Sequence, residues 1–171
     1  YDKRVIIPYF ENGEFVYFQA RSLEKEAKLR YVNPVGIDTK EFVFNIDDIN
    51  DELIICEGPF DAMSMDEQAA TCMCSGDLGV KQIEKIIAKK PNYIIYARDN
   101  DETGARTMKK NIGKLIMYGY DKPIYLFEMP EHIKDLNELK MKTGKNFILK
   151  KECSLYKQAA FNDQWLQKLT F

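Results

Sequence analysis

Three acidic segments carry the residues best suited to chemistry: Glu57-Gly58-Pro59-Phe60-Asp61, Asp99-Asn100-Asp101-Glu102-Thr103-Gly104 and Asp135-Leu136-Asn137. Carboxylates gathered at one point repel and raise one another's pKa unless a cation sits among them. None of the segments contains His or Cys, and hard oxygen donors alone favour Mg²⁺ or Mn²⁺ over zinc. Asp99 and Asp101 are spaced i, i+2, which on extended backbone points both side chains to one side, as chelation requires. Two ions held this way can clamp the attacking and leaving oxygens of a phosphoryl transfer. Glu57 is the candidate general acid/base, given burial that raises its pKa. The competing reading is helix N-capping, because Asp and Glu suit the positive end of the helix dipole; Asp61, Glu102 and Asp135 taken singly fit it. A D-x-D pair alone is weak evidence, whereas E-G-x-x-D followed by D-x-D at a later strand end is more specific.

The surrounding pattern explains how these segments could meet. Residues 53–56, 71–74, 93–97 and 124–127 read as strands, and 59–69, 80–89, 103–117 and 134–141 read as helices. Strands alternating with helices of this length imply a parallel sheet with helical crossovers, so residues 51–142 are expected to form an α/β domain. Ligand sites in such sheets lie beyond the carboxyl ends of the strands. Glu57 and Asp61 follow the first strand, Asp99 and Asp101 the third, and Asp135 the fourth, which places all five on one rim. Ahead of this domain, residues 4–8 and 15–21 are β-rich and flank Asn12-Gly13, a strong hairpin signal, so residues 1–50 read as a hairpin segment. Residues 143–171 read as a helical extension, amphipathic around Phe161, Trp165 and Leu169.

Composition narrows the classes. A chain of 171 residues with 45% hydrophobic and 12% aromatic residues has enough apolar material for a packed core, which argues against intrinsic disorder. No apolar run approaches the ~18–20 residues that span a bilayer, and no secretion signal opens the chain, so a cytoplasmic protein with no membrane contact is expected. The start at Tyr1, directly ahead of a strand, suggests a domain excised from something longer. Four cysteines without C-x-x-C spacing and one histidine are too few for a structural zinc site. The net charge of -2 is unusual for a sequence-independent DNA binder, although carboxylates engaged with metal leave 25 Lys and Arg available elsewhere.

The stretch Ile54-Ile55-Cys56-Glu57-Gly58-Pro59-Phe60-Asp61-Ala62, followed by Asp99-Asn100-Asp101-Glu102-Thr103-Gly104, resembles the glutamate and D-x-D motifs of the Toprim fold. That fold is shared by primases, type IA and II topoisomerases, OLD-type nucleases and RecR-like proteins. Upstream, Arg4-Val5-Ile6-Ile7-Pro8, then Gly13, Phe18 and Arg21, then Arg30-Tyr31-Val32-Asn33, resemble the segment that precedes the Toprim part in the polymerase domain of bacterial- and phage-type DNA primases. The resemblance covers roughly residues 4–140. It implies a Toprim-like four-stranded parallel sheet with flanking helices, preceded by a β-hairpin and followed by a helical tail. It also implies synthesis of short RNA primers from ribonucleoside triphosphates on single-stranded DNA, beside a replicative helicase, fused or separate. Glu57 would then be catalytic, Asp99 and Asp101 would hold Mg²⁺ (or Mn²⁺) with Asp61 and Asp135 completing the cluster, and Arg4, Arg21, Arg30 and Asn33 would bind nucleotide or nucleic acid. Asp135-Leu136-Asn137 departs from the family's D-P-D pattern by one charge, which bears on a second ion. Arg30 replaces a lysine, keeping the charge and changing its geometry.

Other readings compete. D-x-D-x-T-G also opens haloacid-dehalogenase-like phosphatases, but there it precedes the remaining acidic residues, whereas here the E-G-x-x-D segment comes first. A Toprim nuclease could use the same ions, and a non-catalytic DNA-binding or recombination-mediator module could use the same fold. Arg21 and Arg30 also read as solvated strand-end charges. Lys81, Lys85 and Lys89 line one helix face, and Arg106, Lys109, Lys110 and Lys114 another; each stripe reads either as a solvated face or as a contact for template DNA.

Overall fold

The computed structural model describes residues 1–24, 26–73 and 76–156. A hairpin of β1 (Arg4–Glu11) and β2 (Glu14–Ser22) is joined by the short β3 (Tyr31–Val32) in a three-stranded antiparallel sheet. Its turn uses left-handed backbone at Asn12 and Gly13, φ 56° and 77°, the conformation that matches the twist of two-residue hairpins and that Asn-Gly adopts readily. Asp47 fastens the turn by accepting from the N–H groups of both residues, at 2.8 and 2.9 Å.

The second sheet contains β4 (Glu52–Cys56), β5 (Ala70–Cys72), β6 (Tyr93–Ala97), β7 (Ile124–Phe127) and β8 (Ser154–Leu155), in the order β5-β4-β6-β7-β8. The first four are parallel and β8 is antiparallel to β7. Four helices accompany them: α1 (Pro59–Met63), α2 (Val80–Ala88), α3 (Glu102–Met117) and α4 (Leu136–Thr143). Both faces of the sheet are covered, which is why its strands read as continuous apolar runs. Leu53, Ile55, Ile94 and Tyr96 pack with Ile83 and Ile86 of α2 and Met108, Ile112 and Leu115 of α3. Ile54, Cys56, Ile95 and Ala97 pack with Ala62, Leu136 and Leu139, and with Ile7, Tyr9 and Tyr17 of the hairpin. The alternate residues of one strand thus serve two cores, and the hairpin shares one of them.

Two departures from the expected elements have identifiable causes. The helix expected over 59–69 ends at Met63: the Ser64 hydroxyl donates to Phe60 O at 2.7 Å and accepts from Asn137 Nδ2 at 3.1 Å, and side-chain bonding back to the preceding turn competes with continued helix. The turn that follows lets Gln68 bond Glu52 and both backbone groups of Ile148. The sheet has a fifth strand, because the chain after α4 returns as β8 to pair with β7 where a helical tail was expected. The amphipathic segment around Phe161, Trp165 and Leu169 lies outside the described residues.

Candidate active site

β4 feeds β5 on one side while β6 lies on the other, and the crevice beyond the carboxyl ends of strands at such a reversal is where open α/β sheets bind ligands. Glu57 follows β4 directly and Asp99 stands two residues past β6. Together with Asp61, Asp135, Asn137 and Lys134 they line a cleft of 270 Å³ that also takes in Arg21, Arg30, Tyr31 and Phe60. The N-terminal sheet and the parallel sheet therefore contribute to one cleft, the first with arginines and the second mainly with carboxylates.

Local chain chemistry fixes each carboxylate. Pro59 occupies the first turn of α1, where its missing N–H is harmless. Asp61, 9% exposed, reaches back to Gly58 N–H at 3.1 Å and across to Asn137 N–H at 3.1 Å, so one carboxylate ties α1 to the start of α4. Asp101 caps α3 by accepting from Gly104 N–H at 2.7 Å, and Asp135 caps α4 by accepting from Glu138 N–H at 2.8 Å. The D-x-D segment is a turn and not an extended stretch, with Asp101 N–H donating to Asp99 O at 2.9 Å. Asp99 consequently faces the cleft, while exposed Asp101 sits at its rim. Gly104 makes the tightest approach: a Cβ there would lie 2.6 Å from Asp99 O and 2.7 Å from Glu57 Oε1, which explains the glycine that ends D-x-D-E-T-G.

Charge is unbalanced in this cleft. Burial pushes Asp99 up to about 7, helped by Glu57 and Asp61 and opposed by Lys134. Burial also raises Glu57 and Asp61 from their ordinary values; Asp101 and Asp61 add to the effect on Glu57, and Asp135 to that on Asp61. Glu57 Oε1 is buried without a hydrogen-bond partner, a costly arrangement that calls for a proton or a cation. Among the described residues no three His, Cys, Asp or Glu side chains converge on one point, because Asp61, Asp101 and Asp135 are turned to backbone N–H groups. The donor set still suits a hard divalent ion: oxygen ligands only, an orphaned buried carboxylate oxygen, and neighbours whose ionisation is suppressed for want of positive charge.

Of the other residues singled out in the sequence, Arg21 and Arg30 reach the cleft. The Arg21 guanidinium stacks 4.2 Å from the centre of the Phe60 ring and donates to Tyr31 Oη at 3.0 Å, so it is held in a fixed orientation. Arg4 stands apart, donating to the carbonyls of Ala20, Leu29 and Arg30. Asn33 accepts from Gln19 at 3.2 Å and does not line the cleft. Lys81, Lys85 and Lys89 pair with Glu41, Glu11 and Asp47 at 2.8, 2.5 and 3.9 Å, so that stripe joins α2 to the N-terminal segment. Lys110 and Lys114 pair with Asp77, while Arg106 and Lys109 are exposed on α3. Sequence reasoning passed over Lys134, whose Nζ lies 3.8 Å from Asp99 and 3.4 Å from Asp135. A lysine directly before a helix-capping aspartate gave no sign of reaching a carboxylate 35 positions earlier.

Comparison with known proteins supplies the wider frame. Residues 54–140 match the model of a family described as Toprim-like. The chain is 27% identical over 161 residues to a DNA primase of Mycoplasma genitalium, an alignment covering 87% of this chain and 26% of that protein. Among solved structures, the E. coli primase catalytic core superposes with a TM-score of 0.76 at 18% identity, covering 96% of this chain and 57% of that one. A DnaG primase catalytic domain bound to single-stranded DNA gives 0.74 at 19%, with 96% and 56% covered. The chain thus spans about a quarter of the curated relative and somewhat over half of the structural ones.

Proposed function

Because the chain belongs to the Toprim-like family, we propose that it is the catalytic-core portion of a DNA primase, acting in the cytoplasm to join ribonucleoside triphosphates on a single-stranded DNA template beside a replicative helicase. The observation that carries this reading is the extent of the likeness. It runs beyond the Toprim-like stretch into the hairpin, the segment that brings Arg21 and Arg30 into one cleft with Glu57 and Asp99. Residues 1–50 then belong to the polymerase part that precedes the Toprim domain of 51–142.

Proteins of this family are generally metal-dependent. Asp99 would hold Mg²⁺ or Mn²⁺ with Asp101 and Asp135, whose capping bonds to Gly104 and Glu138 each engage one oxygen. A bound ion of this kind stabilises the charge that develops on a transferring phosphoryl group. Asp61, with both oxygens on backbone N–H groups, keeps α1 and α4 in register beneath the cleft. Glu57, raised by burial, is suited to exchange a proton with the 3′ hydroxyl or the departing pyrophosphate. Arg21 presents a pre-oriented guanidinium to the triphosphate. Arg30 lies beside it, and Arg4 supports Arg30 from below by bonding its carbonyl.

Mn²⁺ titration calorimetry on this chain and on Asp99→Ala/Asp101→Ala, with circular dichroism to confirm folding, tests the ion site. A templated primer-synthesis assay on the full-length protein carrying the same changes tests the activity. Binding that vanishes in the folded variant, together with lost synthesis, is the expected result. A wild-type chain that takes no Mn²⁺ and a full-length protein that makes no primer would sink the proposal.

A further inference from the structure

Lys134 stands where the acidic segments meet. Its ammonium is shared between carboxylates of two segments, 3.4 Å from Asp135 and 3.8 Å from Asp99. Its backbone is pinned on both sides: Asn100 N–H donates to its carbonyl at 2.8 Å, and its own N–H donates to Glu138 at 2.6 Å. The side chain beyond is 64% exposed, so the residue is anchored at its root and unpacked at its tip. An ammonium is a compact point charge on a flexible stem, without the fixed fork that would lock it to one carboxylate. The contact to Asp99 is too long for a hydrogen bond and acts through charge alone.

A cation in this position competes with any second cation for the same carboxylates, because each occupant neutralises the charge the other would use and the two repel. We infer that Lys134 is a built-in stand-in for the divalent ion, neutralising Asp99 and Asp135 while no ion is bound and being displaced from them when one enters. The inference rests on the reading of these aspartates as ion-holding residues. It gives the lysine two effects of opposite sign: the ion-free fold gains from it, and ion affinity loses. A lysine that merely braced the loop would favour both.

The test is Mn²⁺ titration calorimetry at low ionic strength, with thermal unfolding measured with and without Mn²⁺, on the wild-type chain, Lys134→Met and Lys134→Arg. Lys134→Met is expected to bind Mn²⁺ roughly two- to fivefold tighter, the worth of an exposed ion pair. It should unfold at a lower temperature without the ion, and the deficit should close at saturating Mn²⁺. Lys134→Arg, which keeps the charge, should stay near wild type in both measurements. Unchanged or weaker Mn²⁺ binding by Lys134→Met, or an unfolding deficit of the same size with and without Mn²⁺, would overturn the inference while leaving the ion site intact. Binding by Lys134→Met alone would support it in its strongest form. If neither chain binds Mn²⁺, the ion-site reading fails and the stand-in fails with it.

Discussion

Asp77 and Asp99 both follow strands of the same parallel sheet, β5 and β6, and both accept charge from lysines, yet the balance around them is opposite. Asp77 meets three ammonium groups, Lys40 at 2.7 Å, Lys110 at 2.8 Å and Lys114 at 2.6 Å. Burial works to raise its pKa, but the bonds from Lys110, Lys114 and Lys40 outweigh it and hold the carboxyl far below the usual range. Asp99 has Lys134 at 3.8 Å against Glu57, Asp61 and Asp135, and its pKa rises. The Asp77 cluster is a clip that joins the segment carrying Lys40, the turn before α2 and the middle of α3. The Asp99 cluster is a cleft in which carboxylates outnumber the cations close to them. Surplus positive charge around a carboxylate marks a place that is finished within the fold; surplus negative charge marks a place that awaits something from outside.

The largest effect that would break this contrast is catalytic. If Glu57 is the general acid/base proposed above, Glu57→Gln keeps the shape of the side chain, whose Oε1 alone lacks a partner, and removes its proton exchange, so primer synthesis by the full-length protein should fall roughly a hundredfold or more, the usual worth of such a group. The variant should fold normally, as judged by circular dichroism. Wild-type synthesis from Glu57→Gln would show that the buried oxygen is not part of the chemistry.

Steric change in the acidic cleft comes next. Gly104→Ala places a methyl against Asp99 O and Glu57 Oε1, and forcing that contact apart should cost about 1–3 kcal/mol in urea unfolding. The same shift would move both carboxylates, so Mn²⁺ affinity should drop as well. On the other side of the comparison, Asp77→Ala leaves three lysines without their common partner. A loss of about 1–2 kcal/mol is expected, in keeping with hydrogen bonds to charged groups, and with no change in Mn²⁺ affinity. A stability change in the cleft variant alone, with Asp77→Ala neutral, would show that the clip contributes nothing.

How much of this was legible in the sequence divides along the same line. The runs 53–56 and 93–97 were readable as strands because alternate residues enter two cores and leave no polar face. Glu57 and Asp99 were readable as cleft residues because they fall just past the carboxyl ends of those strands, where open sheets bind ligands. What the sequence hid was contact between distant segments. Lys81, Lys85 and Lys89 have the spacing of a binding stripe, and only the packing of α2 on the N-terminal segment reveals Glu41, Glu11 and Asp47 as their partners. Lys134 was invisible for the same reason, since its meeting with Asp99 depends on the bond from Asn100 to its own carbonyl. The turn at Asp101 was missed because D-x-D was read as extended, and the N–H of Gly104 competes for the carboxylate that chelation would use. β8, two residues long, carries no periodicity to read.

The smallest expected effect gives the contrast its sign. The folded Asp99 carboxyl titrates at about 7, against an ordinary value of 3.8, so between these values the folded chain holds a proton that the unfolded chain has released. Stability therefore falls as pH climbs from about 4 to about 7, and is level with respect to this group on either side. Asn at this position cannot ionise, so ion-free Asp99→Asn should match wild type near pH 4, gain on it through that window and stay ahead by up to about 1 kcal/mol above it, an allowance discounted for solvent screening. Asp77 has the opposite linkage: its depressed pKa contributes stability above the ordinary carboxylate value that is lost as pH falls through the folded one. Urea unfolding of the two chains at several pH values measures the gap. Added Mn²⁺ should reverse it, because an ion favours the ionised aspartate and has less to hold in the amide. A gap that ignores pH would mean that Asp99 is not held protonated by its surroundings, and the cleft would then lose the unbalanced charge that separates it from the clip.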